Sequence, residues 1–457
     1  MVLKSSLFLF CVIAWILAGR SDIIRYLPFL SSQANTSDFP LHYLYGAYQA
    51  GDNHSLALLS QRAIAENNAY WLHFAKLAGS PQAQQYFSHL QTSNGRGKAS
   101  RKALTYAAKR GDIDAQIALY HHWIAKSEPQ KAQYWLKIAA QRDPASAVFY
   151  AKWLSISGNE YQAIALLEKA EHLGSTHASR LLNMRVEPQT KELREAEFAT
   201  LKPQRTATHC AQQLQFVAST LQSVLQGEEL IEQFKRDHRL QGLPICVNTP
   251  IWLAASALTC SDNWQGAGRL GCDVTQLSQS LTRQRFTHVV VLAPVGKANV
   301  HNGVMFLDTE DDYNVFVHEL AHFAGFVDEY PLSSGLAAAI CTGSNAPNLL
   351  LSNANEQPDV HDWQNQLNGN KLTISQSRTC DNHQAQAYKP SAKMTFMEFY
   401  DVPYIPPIYL QAWADRLSKK SLLTPAYINF YQGFDADGNA EQGGYWRSRY
   451  QQFLQAD

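Results

Sequence analysis

Charge is scarce in this chain and evenly split. Asp, Glu, Lys and Arg make up 17% of it, and 39 basic residues offset 39 acidic ones, for a net charge of 0. Such a low share excludes the composition of a disordered chain. The zero balance leaves no basic footprint for nucleic acid, so none is expected as a partner. No two cysteines stand in a C-x-x-C pair, which disfavours a structural zinc held by thiolates. No apolar run reaches the length of about 20 residues that a membrane-spanning helix needs. The nearest is Leu7–Gly19 (LFLFCVIAWILAG), which Arg20 ends.

That run has Lys4 before it and Arg20, Asp22 and Arg25 after it, which is the form of a signal sequence. Ile16 and Leu17 occupy positions where small residues would mark cleavage. Residues 1–25 are therefore expected to be either a cleaved signal or an anchor that holds residues 7–19 in a membrane. Either way the rest of the chain is exported, to the periplasm or beyond. Cys11 lies inside the run, without the small residue before it that lipid attachment requires. Six cysteines remain, Cys210, Cys246, Cys260, Cys272, Cys341 and Cys380, an even set confined to the second half. In an exported chain they are expected to form disulfides. Proximity in sequence favours Cys260 with Cys272 and Cys341 with Cys380, which leaves Cys210 with Cys246.

A chain of 457 residues should divide into two or about three folding units. From about 40 to 190 it is Ala-rich and repetitive. AKLAGSPQAQ (75–84), AAKRGDIDAQ (107–116) and AAQRDPASAV (139–148) align with a period of 32, AEHLGSTHAS (170–179) follows one residue early, and YQAGDNHSLA (48–57) is a degenerate first copy. Small residues at one phase let helices approach closely, and Gly79, Gly111 and Gly174 provide turns between them. The series resembles the Sel1-like branch of the tetratricopeptide-repeat family, on AAKRGDIDAQIALY and AEHLGSTHASRLL. The resemblance implies an all-α solenoid whose concave face takes a protein or peptide partner. The plainer reading is a spacer between membrane and second half. Residues 185–205 are polar and carry Pro188 and Pro203, which places the boundary there and a second domain at 206–457.

In that domain the β-branched stretch HVVVLAP (288–294) and HNGVMFLD (301–308) read as strands. A helix should begin after Asp311 and Asp312 and run through YNVFVHELAHFAG to Gly325. It carries His318-Glu319-Leu320-Ala321-His322, the pattern H-E-x-x-H. Two histidines four apart share one helical face, so both can reach one Zn2+, while Glu319 points at the water such an ion would bind. Gly325 permits a turn back towards the metal, which brings Asp328 to the place of a third ligand.

HELAHFAGFVDEY (318–330), APNLLLSNANEQPDVHDW (346–363) and YKPSAKM (388–394) together resemble the IgA-peptidase-like family of zincin metallopeptidases, over about 240–415. The resemblance implies an α+β metzincin-like domain that hydrolyses protein or peptide substrates. His318, His322 and Asp328 would hold Zn2+, Glu319 would be the general base, and a methionine turn would lie below the metal. Met397 and Met394 both qualify for that turn, with Met397 preferred. The segment DVPYIPPIYLQAW (401–413) has no counterpart in this resemblance.

Other assignments compete. His361 or His383 could replace Asp328 as third ligand, and Glu398 could serve in a gluzincin-like arrangement. Glu329 is expected behind the metal ligands rather than on the ion. Tyr330, Tyr400 and Tyr404 are candidate oxyanion donors. His209, His121 and His122 fall outside the pattern and should be surface residues. Two rival functions also stand beside the peptidase: a repeat-based assembly protein with a non-catalytic metal platform, and a zinc amidase acting on peptidoglycan.

Overall fold

The computed structural model describes residues 40–49, 51–66, 68, 71, 74–75, 78–85, 108–109, 111, 113–186, 210–266, 268–343, 345–353, 358–366 and 372–455. The expected signal or anchor at 1–25, His209 and most of the 185–205 boundary lie outside them. Among the described residues no helix is long and apolar enough to cross a membrane.

The chain divides into two compact units, at residues 1–147 and 148–457. The first unit is helical, with α1 (Pro40–Gln49), α2 (Asn53–Ala65), α3 (Ile113–Ala125) and α4 (Pro129–Ala139). Leu41, Leu44, Leu59 and Trp71 form the core around α1 and α2. On α4 the small residues Ala132 and Ala139 are fully buried, as close helix contact requires. The turn glycines Gly79 and Gly111 have positive φ, a conformation that a side chain would strain.

The second unit begins with helices and continues as an α/β part. Its first helices are α5 (Pro144–Ile156, which crosses the division), α6 (Glu160–His172) and α7 (Thr176–Asn183). β1 (Arg185–Val186), β2 (Gln212–Ala218), α8 (Leu221–Arg236), β3 (Ile245–Val247) and β4 (Ile251–Leu253) follow. This division comes earlier than the 185–205 composition break, for a physical reason. The carboxylate of Glu160 accepts a hydrogen bond from Leu221 N at 2.5 Å, and Ser155 Oγ accepts from Gln222 N at 3.1 Å, so two backbone donors at the start of α8 end on the last helices. Glu228 on α8 pairs with Arg180 at 2.9 Å, and β1 adds a strand beside β4.

Next come the hairpin β5 (Cys260–Ser261) and β6 (Gly271–Cys272), α9 (Val274–Ser280), β7 (His288–Ala293), β8 (Asn299–His301) and β9 (Val304–Asp308). The main sheet has the order β1-β4-β2-β7-β9-β8, with β3 also on β2. Every pairing in it is parallel except that of the edge strand β8 with β9. The domain is thus α/β in pattern where α+β was expected, with α8 between β2 and β3 and α9 between β4 and β7. β2, β7 and β9 are buried along their whole lengths, as a sheet covered on both faces requires.

Helix α10 (Tyr313–His322) leaves β9 through a short turn, and α11 (Ser334–Ile340) follows it. A small antiparallel sheet comes next, β10 (Leu350–Ser352), β11 (Ser375–Ser377) and β12 (Gln386–Lys389), with β12 central. α12 (His361–Gln366) lies between β10 and β11 in sequence, and α13 (Pro407–Leu417), α14 (Tyr427–Ala436) and α15 (Ala440–Gln455) complete the chain. The disulfides are Cys210–Cys246, Cys260–Cys272 and Cys341–Cys380, the pairing that sequence proximity favoured. They fit an extracellular or periplasmic protein.

Candidate metal site

Asp312 caps α10 by accepting from Asn314 N at 2.9 Å and Val315 N at 3.1 Å, so the helix starts where the sequence placed its cap. Phe316 and Leu320 face the core, and Phe316 meets Phe216 of β2 at 5.6 Å between centroids. Burial of that face fixes the rotation of the helix and turns His318, Glu319 and His322 to one side. The helix ends at His322, and Gly325 with φ of 79° turns the chain back.

The turn delivers Asp328. Its Oδ1 lies 3.0 Å from Nε2 of His318 and 3.2 Å from Nε2 of His322. The far nitrogen of each ring is held as well: His318 Nδ1 donates to the Phe396 carbonyl and His322 Nδ1 to the Phe326 carbonyl, both at 2.8 Å. These bonds aim both Nε2 atoms at Asp328, the side on which an ion would sit.

Zinc bonds to nitrogen and oxygen are about 2.0–2.2 Å long, so tetrahedral ligand atoms should lie about 3.3–3.6 Å apart. The separations of 3.0 and 3.2 Å need only slight opening. Ligating atoms of His318, Glu319 and His322 also cluster within 4.8 Å, as a metal site would. Of the two carboxylates, Asp328 is the better ligand, because Glu319 Oε2 stands 3.9 Å from His322 Nε2. Two imidazoles and one carboxylate make a donor set suited to zinc.

The electrostatics agree with that division of roles. Burial would raise the pKa of Asp328, yet His322 and His318 hold it well below the usual carboxylate range. Burial would lower His322, but Asp328, Glu319 and the Phe326 carbonyl lift it to about 9. A carboxylate wedged between imidazoles is satisfied by a proton on His322 or by a cation in its place. Burial raises the pKa of Glu319, against the pull of His322 and His318.

The remaining candidates separate cleanly. Neither His361 nor His383 belongs to the cluster: His361 is exposed at the start of α12, and His383 Nδ1 accepts from Ala385 N at 3.1 Å. Glu398 pairs with Lys389, away from the histidines. Burial and the Asp328 carboxylate raise the pKa of Tyr330, whereas Tyr400 is exposed and Tyr404 stacks under Lys393. Met397 is fully buried, and its carbonyl accepts from Glu329 N at 2.9 Å. Met394 is half-buried at the start of the same turn. His121 is exposed and His122 half-buried, at the end of α3.

Several contributors escaped the sequence reading. The Phe396 carbonyl acts through its backbone, which no side-chain motif reveals. Lys389 lies within the quoted YKPSAKM, but nothing in the spacing assigns it a partner. The unmatched segment at 401–413 runs into α13, whose Tyr409 and Trp413 pack on Phe326 at 5.6 and 5.5 Å. That aromatic cluster supports both carbonyls that hold the histidines. No protein-family model matches the chain, and no curated protein or solved structure is significantly similar to it.

Proposed function

We propose that the chain is an exported zinc metallopeptidase, with a metzincin-like catalytic part behind a Sel1-like helical solenoid. The observation that carries this reading is the placement of Asp328 Oδ1 within 3.2 Å of both Nε2 atoms, with Glu319 buried beside them. A zinc ion held by His318, His322 and Asp328 would supply Lewis acidity and acidify a water molecule. Glu319, its pKa raised by burial, accepts a proton from the attacking water and passes it to the leaving amine nitrogen. Phe396 and Phe326 keep the imidazoles aimed throughout. Tyr330, whose pKa burial and the Asp328 carboxylate raise and which is about two-fifths exposed, is the tyrosine best placed to donate to the developing oxyanion. The helical repeats would then present protein substrates or partners to this site.

Glu319→Gln removes the base and keeps every proposed ligand. Zinc stoichiometry should be unchanged, while cleavage of a peptide library falls on the order of a hundred- to ten-thousandfold. Equal cleavage by the variant would reject the peptidase. Zinc binding without cleavage by the unmodified protein would favour a non-catalytic platform, and release of amines from peptidoglycan alone would favour the amidase.

A further inference from the structure

Directly behind the candidate ligands lies a buried charge cluster that the proposed chemistry does not use. Glu329, whose side chain has no solvent exposure, follows Asp328 in the chain. Its Oε1 accepts from Asn348 Nδ2 at 2.9 Å and Tyr409 OH at 2.5 Å, and its Oε2 accepts from Thr395 Oγ1 at 2.5 Å. Lys389 Nζ stands 3.6 Å from Oε2 and also pairs with Glu398. Each hydrogen-bonding partner of this carboxylate can donate to it; burial raises its pKa, and Lys389, Thr395, Tyr409 and Asn348 pull the other way.

The donors come from different segments. Asn348 precedes β10, Lys389 ends β12, Tyr409 lies on α13, and Thr395 stands one residue before Phe396, whose carbonyl holds His318. Glu398 is in the same turn. The backbone repeats the pattern, since Glu329 N donates to Met397 O at 2.9 Å and Thr379 Oγ1 donates to Asp328 O at 2.7 Å. A buried ion pair is poor evidence for stability, because apolar side chains of similar shape often stabilise as well. Its use here must lie in geometry.

We propose that Glu329 and Lys389 are positioning residues for the metal ligands: their buried pair bolts the segment carrying Asp328 to the turn whose carbonyl aims His318. This rests on the zinc reading above. Lys389 touches no ligand, so it acts through Glu329 and Glu398. The sign of its effect is diagnostic. As a bare positive charge near a cation site, Lys389 would repel the ion, and its removal would tighten binding. As a bolt, its removal loosens the triad and weakens binding.

The test measures zinc affinity by chelator competition in the full chain, beside the thermal midpoint of metal-stripped protein. Lys389→Met and Glu329→Gln should each bind zinc about 10- to 100-fold more weakly. Lys389→Arg, which keeps the charge, should stay within about threefold of the original chain. If a single variant fails to fold, the double variant Glu329→Gln/Lys389→Met decides, because it removes both charges of the fully buried pair and leaves only the partly exposed Glu398 without its lysine. It should recover the original midpoint and still bind zinc at least about tenfold more weakly. Unchanged or tighter zinc binding by folded Lys389→Met, or original affinity in the folded double variant, would overturn the proposal. No zinc binding by the unmodified chain would overturn the zinc reading and this inference with it.

Discussion

The helix that carries His318, Glu319 and His322 and the turn that carries Phe396 meet at His318, yet opposite means hold them. The helix is a local construction: a cap at Asp312, an apolar face and a glycine exit, all within 312–325. The turn has no regular secondary structure. It is held by contacts from far along the chain, including a Glu329 carboxylate 66 residues from Thr395 and an imidazole 78 residues from Phe396. Locally coded parts can be read from spacing. Parts coded at long range are set by what packs where, and one sequence does not show that.

The sharpest way to break this comparison is to remove the ligand that lies against His318. Asp328→Ala should lose nearly all its zinc, because two imidazoles alone make an incomplete site. His361→Ala and His383→Ala should keep one zinc per chain, since neither ring reaches the cluster. Metal analysis of the three variants side by side checks this, and full occupancy in Asp328→Ala would exclude the triad.

Truncation probes the long-range side. A fragment starting at Thr206 matches the composition break but removes the two acceptors at the start of α8, Glu160 and Ser155, together with strand β1. One starting at Asp143 keeps them, along with the Asp143 side chain that accepts from Ser146 N. Two lost caps cost about 2 kcal/mol, so the shorter fragment should melt at least about 5 °C lower. Equal midpoints would mean that the last helices are ornament.

These contrasts explain what was readable beforehand. The H-E-x-x-H spacing, the Asp312 cap and the Gly325 exit are neighbours in sequence, so a helix that clusters His318, Glu319 and His322 follows from periodicity. Asp328 follows from the same glycine turn, at short range. The disulfide partners were found by proximity, which works when each loop closes within 39 residues. The link from Glu160 across 61 residues to Leu221, by contrast, leaves no mark in the composition. Lys389 and Tyr409 stayed hidden for the same reason, since a lysine or tyrosine alone carries no record of its partner.

A smaller effect comes from beneath the helix. His288 on β7 is wholly buried, lies tilted against Phe323 at 4.5 Å between centroids, and has its pKa lowered by burial to about 3. The unfolded chain binds its proton near pH 6.5 and the folded chain only near 3. Stability from this residue is therefore level above about 6.5 and falls with decreasing pH, by at most about 1.4 kcal/mol per unit. Denaturant midpoints between pH 7 and 4 should show that slope, and His288→Phe should flatten it. An equally steep slope in the variant would place the acid sensitivity elsewhere.

The smallest expected effect concerns a residue that belongs to both regimes. Arg269 sits in the β5–β6 hairpin, which is fixed locally by the Cys260–Cys272 disulfide and at long range by Asn299 Nδ2, which donates to the Leu270 carbonyl at 2.8 Å. Its side chain is exposed and forms no ion pair among the described residues, yet its charge acts on both Glu319 and Tyr330. A cation so placed should favour substrates with a carboxylate beside the scissile bond. Paired peptides differing only as Glu or Gln should differ about two- to fivefold in kcat/KM, the range expected of a solvent-exposed ion pair. Arg269→Gln should remove the preference, Arg269→Glu should reverse it, and salt near 1 M should shrink it in the original chain. Because the hairpin is pinned without the guanidinium, neither substitution should disturb zinc binding. A preference that survives both would mean that the acidic selectivity, if present, is built by the sheet edge rather than by this charge.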